Sequence, residues 1–286
     1  MGSRENMNKM ILDNVIRVTQ LSSVKVERGT NNAYLPQLKR GNIVSCEFTG
    51  LGTEYNDTHF AIVWSAPPND ESIIVIPMTS QPKLESMKTF TIGKIENFVT
   101  SRDCLDIKES WVHLGKIREV SRKRISPWFQ IDTSSGNNIA DRQGNNLKVV
   151  LSDLQIIRIN DGIKLFLLNE GKCLCDYIQE INANWILDYN TVELLHGYRL
   201  IYDYSFTVTD DNNAIIKYSC NTIEYNVKAK KIDKDKFDSA QHKSLYTEHI
   251  YYKENRYKRR KEIVKALFSN NQDKINNAKA LIDNIT

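Results

Sequence analysis

The spacing of residues 38–80 constrains this chain more than any other feature. Three short apolar runs, 41–48, 59–65 and 72–76, are separated by stretches containing Gly or Pro, and the last closes in Pro77-Met78-Thr79-Ser80. Runs of about 4 to 8 residues rich in Val, Ile, Phe and Trp have the length and composition of strands; helices run to about 10 or more. The second and third runs are apolar without clean alternation, as strands covered on both faces are. The expectation is a strongly curled antiparallel sheet, a small β-barrel. Between the first two runs, residues 49–58 include Gly50 and Gly52, which permit tight turns. That loop should deliver Asp57, Thr58 and His59 to the rim of the sheet.

The remaining segments follow the same kind of reading. Residues 6–21 carry apolar side chains mostly three and four apart, an amphipathic helix pattern, and residues 22–36 form a polar linker. Residues 89–92 and 111–120 read as further strands, and Arg122-Lys123-Arg124 as a basic turn. Residues 132–146, rich in Ser, Asn and Gly, are the strongest candidate boundary. Beyond it, residues 148–168 are left unassigned, 176–195 have helical spacing, and 198–209 with 214–228 make a hairpin or short meander around Asp210-Asp211-Asn212-Asn213. The tail 244–285 has helical propensity, with a strongly basic stretch at 253–265. The fold class expected is α+β, divided as 1–37 (helix and linker), 38–131 (barrel) and 147–286 (a second α+β region).

Composition excludes several classes. At 286 residues, 41% hydrophobic and 26% charged, the chain is globular rather than disordered, and no apolar run reaches the length of a membrane helix. The N-terminus lacks the apolar segment of a signal peptide, so a cytoplasmic location is expected. Five cysteines, with Cys173 and Cys175 too close for a usual zinc knuckle, read as reduced thiols, and Cys46 as a small buried hydrophobe. No ligand cluster for a metal and no phosphate-binding Gly loop is visible, so neither a metal nor a cofactor is expected. The net charge of +4 decides little by itself.

Five motifs recur in order: Arg40-Gly41-Asn42-Ile43, Gly50-Leu51-Gly52, His59-Phe60-Ala61-Ile62-Val63, Ile76-Pro77-Met78-Thr79-Ser80, and Leu114-Gly115-Lys116-Ile117-Arg118-Glu119-Val120 followed by Arg122-Lys123-Arg124-Ile125. Over roughly residues 38–129 this pattern resembles the PemK/MazF family, toxin components of bacterial toxin–antitoxin pairs. The resemblance implies a small curled antiparallel barrel, a homodimer, an antitoxin protein as partner, and metal-independent endoribonuclease cleavage of single-stranded RNA. In that family an Arg at the loop-to-strand position and a Thr in the Pro-x-Thr-Ser step are the catalytic pair. Here the Thr is Thr79, followed by Ser80, while the Arg position is His59 and the usual Pro after it is Phe60.

Such cleavage needs attack by the ribose 2′-hydroxyl, a proton for the leaving 5′-oxygen and donors for the phosphorane charge. Histidine, with a free pKa of about 6.5, exchanges protons near neutrality but cannot grip a phosphate with a cationic fork as Arg does. His59, Thr79 and Ser80 are therefore the candidate catalytic residues. The alternatives are a histidine that only bonds its loop and hydroxyls that cap the turn after Pro77. Asp57 either orients His59 or is a turn residue, and His113 is a second imidazole or structural. Arg118, Arg122, Lys123 and Arg124 offer phosphate contacts or a solvated face, and Trp128 a stacking surface; with Asp57 and Thr58 these are the candidate RNA-binding residues. Two other readings compete with the active nuclease. One is a catalytically inactive RNA- or protein-binding module; the other is a toxin barrel regulated by its attached C-terminal region.

Overall fold

In the computed structural model of the chain the described residues are 2–29, 31–49, 57–83, 86–173, 176–177, 185–187, 198–220, 223–231 and 271–283. They divide into two compact units, residues 1–81 with 91–156 and residues 82–90 with 157–286.

The apolar runs do become strands. β1 (Ile43–Phe48), β2 (Asp57–Ser65), β3 (Ser72–Thr79), β4 (Thr89–Lys94), β5 (Glu109–His113), β6 (Arg118–Ser121) and β7 (Ile125–Pro127) form one sheet in the order β4-β5-β3-β2-β1-β7, with β6 also on β3. The pairings of β1 with β2 and β7, and of β3 with β2, β5 and β6, are all antiparallel. Val44, Cys46, Phe48, Ala61, Val63 and Val75 form a buried cluster, with Phe48 the most exposed of them at 1%. The run read as one strand at 111–120 is two, β5 and β6, joined by a 3-10 turn at Leu114–Lys116. Both lie along β3, β5 against its C-terminal end and β6 against its first half.

The expected barrel does not form. The sheet is open, its path ending on β4 at one edge and β7 at the other. The β7 edge supplies a reason. β7 is three residues long and ends on Pro127, which has no N–H for a further strand. The chain then returns, and residues beyond the Ser/Asn/Gly-rich stretch cover the edge. Val149 N donates to Trp128 O (2.9 Å), Ile43 N to Val149 O (3.0 Å) and Leu151 N to Gly41 O (3.0 Å). The edge is satisfied by a returning segment instead of by closure. Residues 132–146 between them fold as tight turns, the Asp132 carboxylate accepting from Ser134 N (2.9 Å) and the Asp141 carboxylate from Gln143 N (2.8 Å). Gly41 enters β1 with φ +86°, and a Cβ there would stand 3.1 Å from Ile156 Cδ1, so the Arg-Gly step needs its glycine.

α1 (Gly2–Ser22) is helical as expected but is turned the other way round. Asn14 is buried and Met10, Arg17 and Leu21 are half-buried, while Ile11, Leu12, Val15, Ile16 and Val18 are 44–59% exposed. The segment left unassigned contains α2 (Asp153–Ile163), continued by a π-helical turn at Lys164–Leu168 and stopped at left-handed Asn169. A reciprocal cap starts it: Ser152 N donates to Gln155 Oε1 (3.0 Å) and Gln155 N to Ser152 Oγ (3.4 Å).

In the second unit, β8 (Trp185–Leu187), β9 (Tyr202–Val208), β10 (Asn213–Cys220) and β11 (Ile223–Lys231) form an antiparallel sheet in the order β8-β11-β10-β9. Alternation along β10 buries Ala214, Ile216, Tyr218 and Cys220 on one face. The helix expected at 176–195 falls mostly outside the described residues, but residues 185–187 within it are a strand, because their backbone pairs with Ala229–Lys231 of β11. α3 (Gln272–Asp283) is helical within the expected tail. The loop glycines Gly50 and Gly52, residue Cys175 and the basic stretch 253–265 lie outside the described residues. Cys46, Cys104, Cys173 and Cys220 are free thiols, and no helix among the described residues is long and apolar enough to cross a membrane.

Candidate functional site

Antiparallel register decides which side chains share a face. Across β1 and β2, Phe48 stands opposite Asp57, Glu47 opposite Thr58 and Cys46 opposite His59. Asp57 and His59 therefore lie on the face of the buried Cys46, and Thr58 on the other, where its hydroxyl donates to Glu47 Oε1 (2.8 Å). The ladder between β2 and β3 ends at Ala61–Pro77, while Thr79 pairs with Trp111 of β5. Two residues further along each strand, on the face of Ala61 and Pro77, come His59 and Thr79. His59 is half-buried, its ring centroid 6.3 Å from that of Phe48. Thr79 Oγ1 accepts from Gln81 N (3.1 Å), the turn cap weighed as the alternative; in that bond the hydroxyl is acceptor and its hydrogen is not used. Ser80 is exposed beside it.

The four basic candidates separate. Arg118, half-buried, sets its guanidinium carbon 5.6 Å from the Phe48 ring centroid, so Phe48 is the common neighbour of Arg118 and His59. Arg124 Nη1 donates to Thr49 Oγ1 (2.8 Å) and Glu47 O (3.4 Å), at the exit of β1. Both cations act on Cys46, whose thiol burial nevertheless pushes up to about 12. Arg122, 5% exposed, points inward: Nε donates to Asp70 O and Nη2 to Pro67 O, each 2.8 Å, and burial lowers its pKa. Lys123 Nζ donates to Ser22 O (3.3 Å), a cation on the last turn of α1.

Trp128 is committed elsewhere. Its indole N–H donates to Val99 O (2.8 Å), and its ring meets Phe60 edge-on at 4.9 Å, with Phe98 on Phe60 at 5.0 Å. Phe60 alternates with His59 along β2, so this aromatic cluster lies on the opposite face. Asp57 holds Arg17 of α1 in an ion pair, from a backbone at φ +72°. Left-handed geometry is more accessible to Asp than to most residues. Arg17 is a partner of Asp57 that the sequence reading does not single out. Its signal was present: Met10, Asn14, Arg17 and Leu21 are spaced four, three and four apart, with two polar side chains in a helical stripe.

A strand-end histidine shares the neighbourhood of Phe48 and Cys46 with two half-buried guanidinium groups, and a threonine hydroxyl lies on the next strand; such groups are donors and cations of the kind that act on a phosphodiester. Residues 39–142 match the family described as PemK-like, MazF-like toxin of type II toxin–antitoxin system. That segment, a little over a third of the chain, is similar to the toxin domains of this family, and the match runs past residue 129 into the turns at Asp132 and Asp141. Among curated proteins none matches the chain.

Proposed function

We propose that the first unit is a metal-independent endoribonuclease that cuts single-stranded RNA. The observation that supports this most is the placement of His59, at the half-buried start of β2 and beside Phe48, which Arg118 also reaches, within the segment matched by the toxin family. In this reading the 2′-hydroxyl attacks the adjacent phosphorus and the P–O5′ bond breaks. The products are a 2′,3′-cyclic phosphate and a free 5′-hydroxyl. His59 transfers the proton, Thr79 and Ser80 donate to the phosphorane oxygens, and Arg118 and Arg124 balance its charge. The chain acts in the cytoplasm as a homodimer under an antitoxin partner, and residues 147–286 adjust specificity or partner binding. A second reading, a module that binds RNA or protein without cleaving, draws on the Thr79 hydroxyl being already engaged as a turn cap.

The test is to incubate the purified protein with a long unstructured RNA in EDTA and map 2′,3′-cyclic phosphate ends. Cleavage is expected, with His59→Ala lowering the rate about 10²–10⁴-fold. Thr79→Ala should lower it on the order of 10²-fold, as loss of an oxyanion donor does. Binding without cleavage by the wild type selects the second reading. Cleavage untouched by His59→Ala would remove this site.

A further inference from the structure

α1 is held to the first unit by little. Of its residues 8–22 only Asn14 is buried and Met10, Arg17 and Leu21 are half-buried, while Ile11, Leu12, Val15, Ile16 and Val18 lie largely in solvent. Apolar burial therefore contributes little to its attachment. Two charged ties contribute instead, the Arg17–Asp57 ion pair and the Lys123 ammonium on the Ser22 carbonyl. The strand register locates both. Asp57 stands opposite Phe48 across β1 and β2, one step outward of the Cys46–His59 pair. On the other side of β1, Val44 is opposite Pro127 and Cys46 opposite Ile125. The same step continued brings Lys123, in the turn that leads into β7, level with Phe48. The ties thus flank one cross-strand row, Asp57–Phe48–Lys123, two strand spacings or about 9.5 Å wide. From Arg17 to Ser22 the helix rises about 7.5 Å, so its last turn and a half runs across that row.

Phe48 is also the neighbour of His59 and Arg118, and Arg124 bonds Thr49 beside it. The helix therefore lies across the strand end where the candidate groups gather. Its guanidinium is closed in rather than offered: Nη2 donates to Asp57 Oδ1, and Nη1 is shielded from solvent. We propose that α1 is an autoinhibitory strap over the RNA site, latched by Arg17 on Asp57 and Lys123 on Ser22, and open when those ties part. This rests on the reading of the His59 rim as an RNA site. While the helix crosses that row, a single strand does not bring a phosphate to His59 from this end. Only the open fraction of molecules then binds, and apparent affinity and cleavage scale with that fraction. The latch suits opening, because an ion pair between side chains 32% and 64% exposed is weak and screened by salt.

The experiment uses the full chain with the latch reversed in charge: Arg17→Glu, Asp57→Arg, and the two together. The probe is a mixed-sequence single-stranded RNA, unmodified for cleavage and fully 2′-O-methylated for binding. Amide hydrogen exchange along α1 is the readout that needs no activity. Arg17→Glu sets two carboxylates against each other. It is expected to raise kcat/KM and RNA affinity about two- to tenfold and to speed exchange at residues 14–22, with the melting temperature near wild type. Asp57→Arg should open the strap likewise. The double variant rebuilds the pair with its signs exchanged, so exchange in α1 and the cleavage rate should return toward wild type. The gain in Arg17→Glu should also shrink as salt rises, since screening weakens attraction and repulsion alike. Slower cleavage or weaker binding in Arg17→Glu overturns the proposal, as does a double variant whose gain is the product of the single ones. If Arg17→Glu does not fold, Arg17→Gln removes the pair without adding repulsion; a rise of about 1.5- to fivefold is expected, and an unchanged rate overturns the strap. RNA neither bound nor cut by any variant overturns the parent reading, whereas unaltered exchange in α1 of the reversed variants overturns the strap alone.

Discussion

Arg122 and Arg124 are two residues apart in one basic turn and have different tasks. Arg122 turns inward and ties the Pro67 and Asp70 carbonyls, closing the connection between β2 and β3. Arg124 turns to the exit of β1, where it bonds Thr49 and stays half-buried near the face of His59. Arg122→Gln is therefore expected to lower unfolding free energy by about 1.5–3 kcal/mol, the usual cost of losing hydrogen bonds from a charged donor. Its RNA salt slope should stay unchanged. Arg124→Gln should do the reverse, with a small stability change and a slope flattened by about 0.7. Denaturant unfolding and binding titrations at several salt concentrations separate the two. A flattened slope with unchanged stability in Arg122→Gln would contradict the inward placement. A run of three cations looks uniform in the sequence; only the carbonyls that Arg122 meets, more than fifty positions away, divide it.

At the scale of elements, α1 makes the sharpest demand. If its apolar face is the outer one, Leu12→Gln and Val15→Gln should each change stability by no more than about 0.5 kcal/mol, as surface substitutions do. Were that face packed, truncations there would cost about 2–5 kcal/mol. Thermal or chemical melts of the two variants decide between these. The strands were legible in the sequence because β-branched and aromatic runs of strand length leave few alternatives, and β1, β2 and β3 fall where the runs predict. The orientation of α1 was not, because periodicity reports that a helix has two faces and not which one meets its neighbour. Here Asp57, some forty residues away, decides it. α2 has a readable start: Ser152-Asp153-Leu154-Gln155 is a capping box, hidden behind the mostly apolar residues 147–151 that precede it. His59 and Thr79 are candidates through the family resemblance of their motifs, and the antiparallel register places them on one face of neighbouring strands. The surroundings of Trp128 were not readable, because Phe60 and the Val99 carbonyl, which it meets, come from distant parts of the chain.

At the scale of the whole molecule, the motifs recognisable in sequence stop near residue 129, but the sheet does not. Ile131, Val149 and Leu151 are at most 5% exposed, and residues 149–151 bond backbone groups of Trp128, Ile43 and Gly41. Burying three such side chains is worth about 5–9 kcal/mol at about 1.5–3 each. That is comparable to the entire stability of a typical domain, about 5–15 kcal/mol. The turns at Asp132 and Asp141 then serve as the return path that brings this edge segment back, which is why the first unit runs to residue 156. A chain ending at residue 129 should lack a cooperative melt, whereas one ending at residue 156 should keep one. Both can be followed by near-ultraviolet circular dichroism, since Trp64, Trp111 and Trp128 remain in each. The shorter chain would also leave the β1 edge unpaired and is expected to associate, seen as a shift to larger species in size-exclusion chromatography. Equal cooperativity in the two truncations would mean that the returning segment decorates the sheet without stabilising it. The open edge would then need another account.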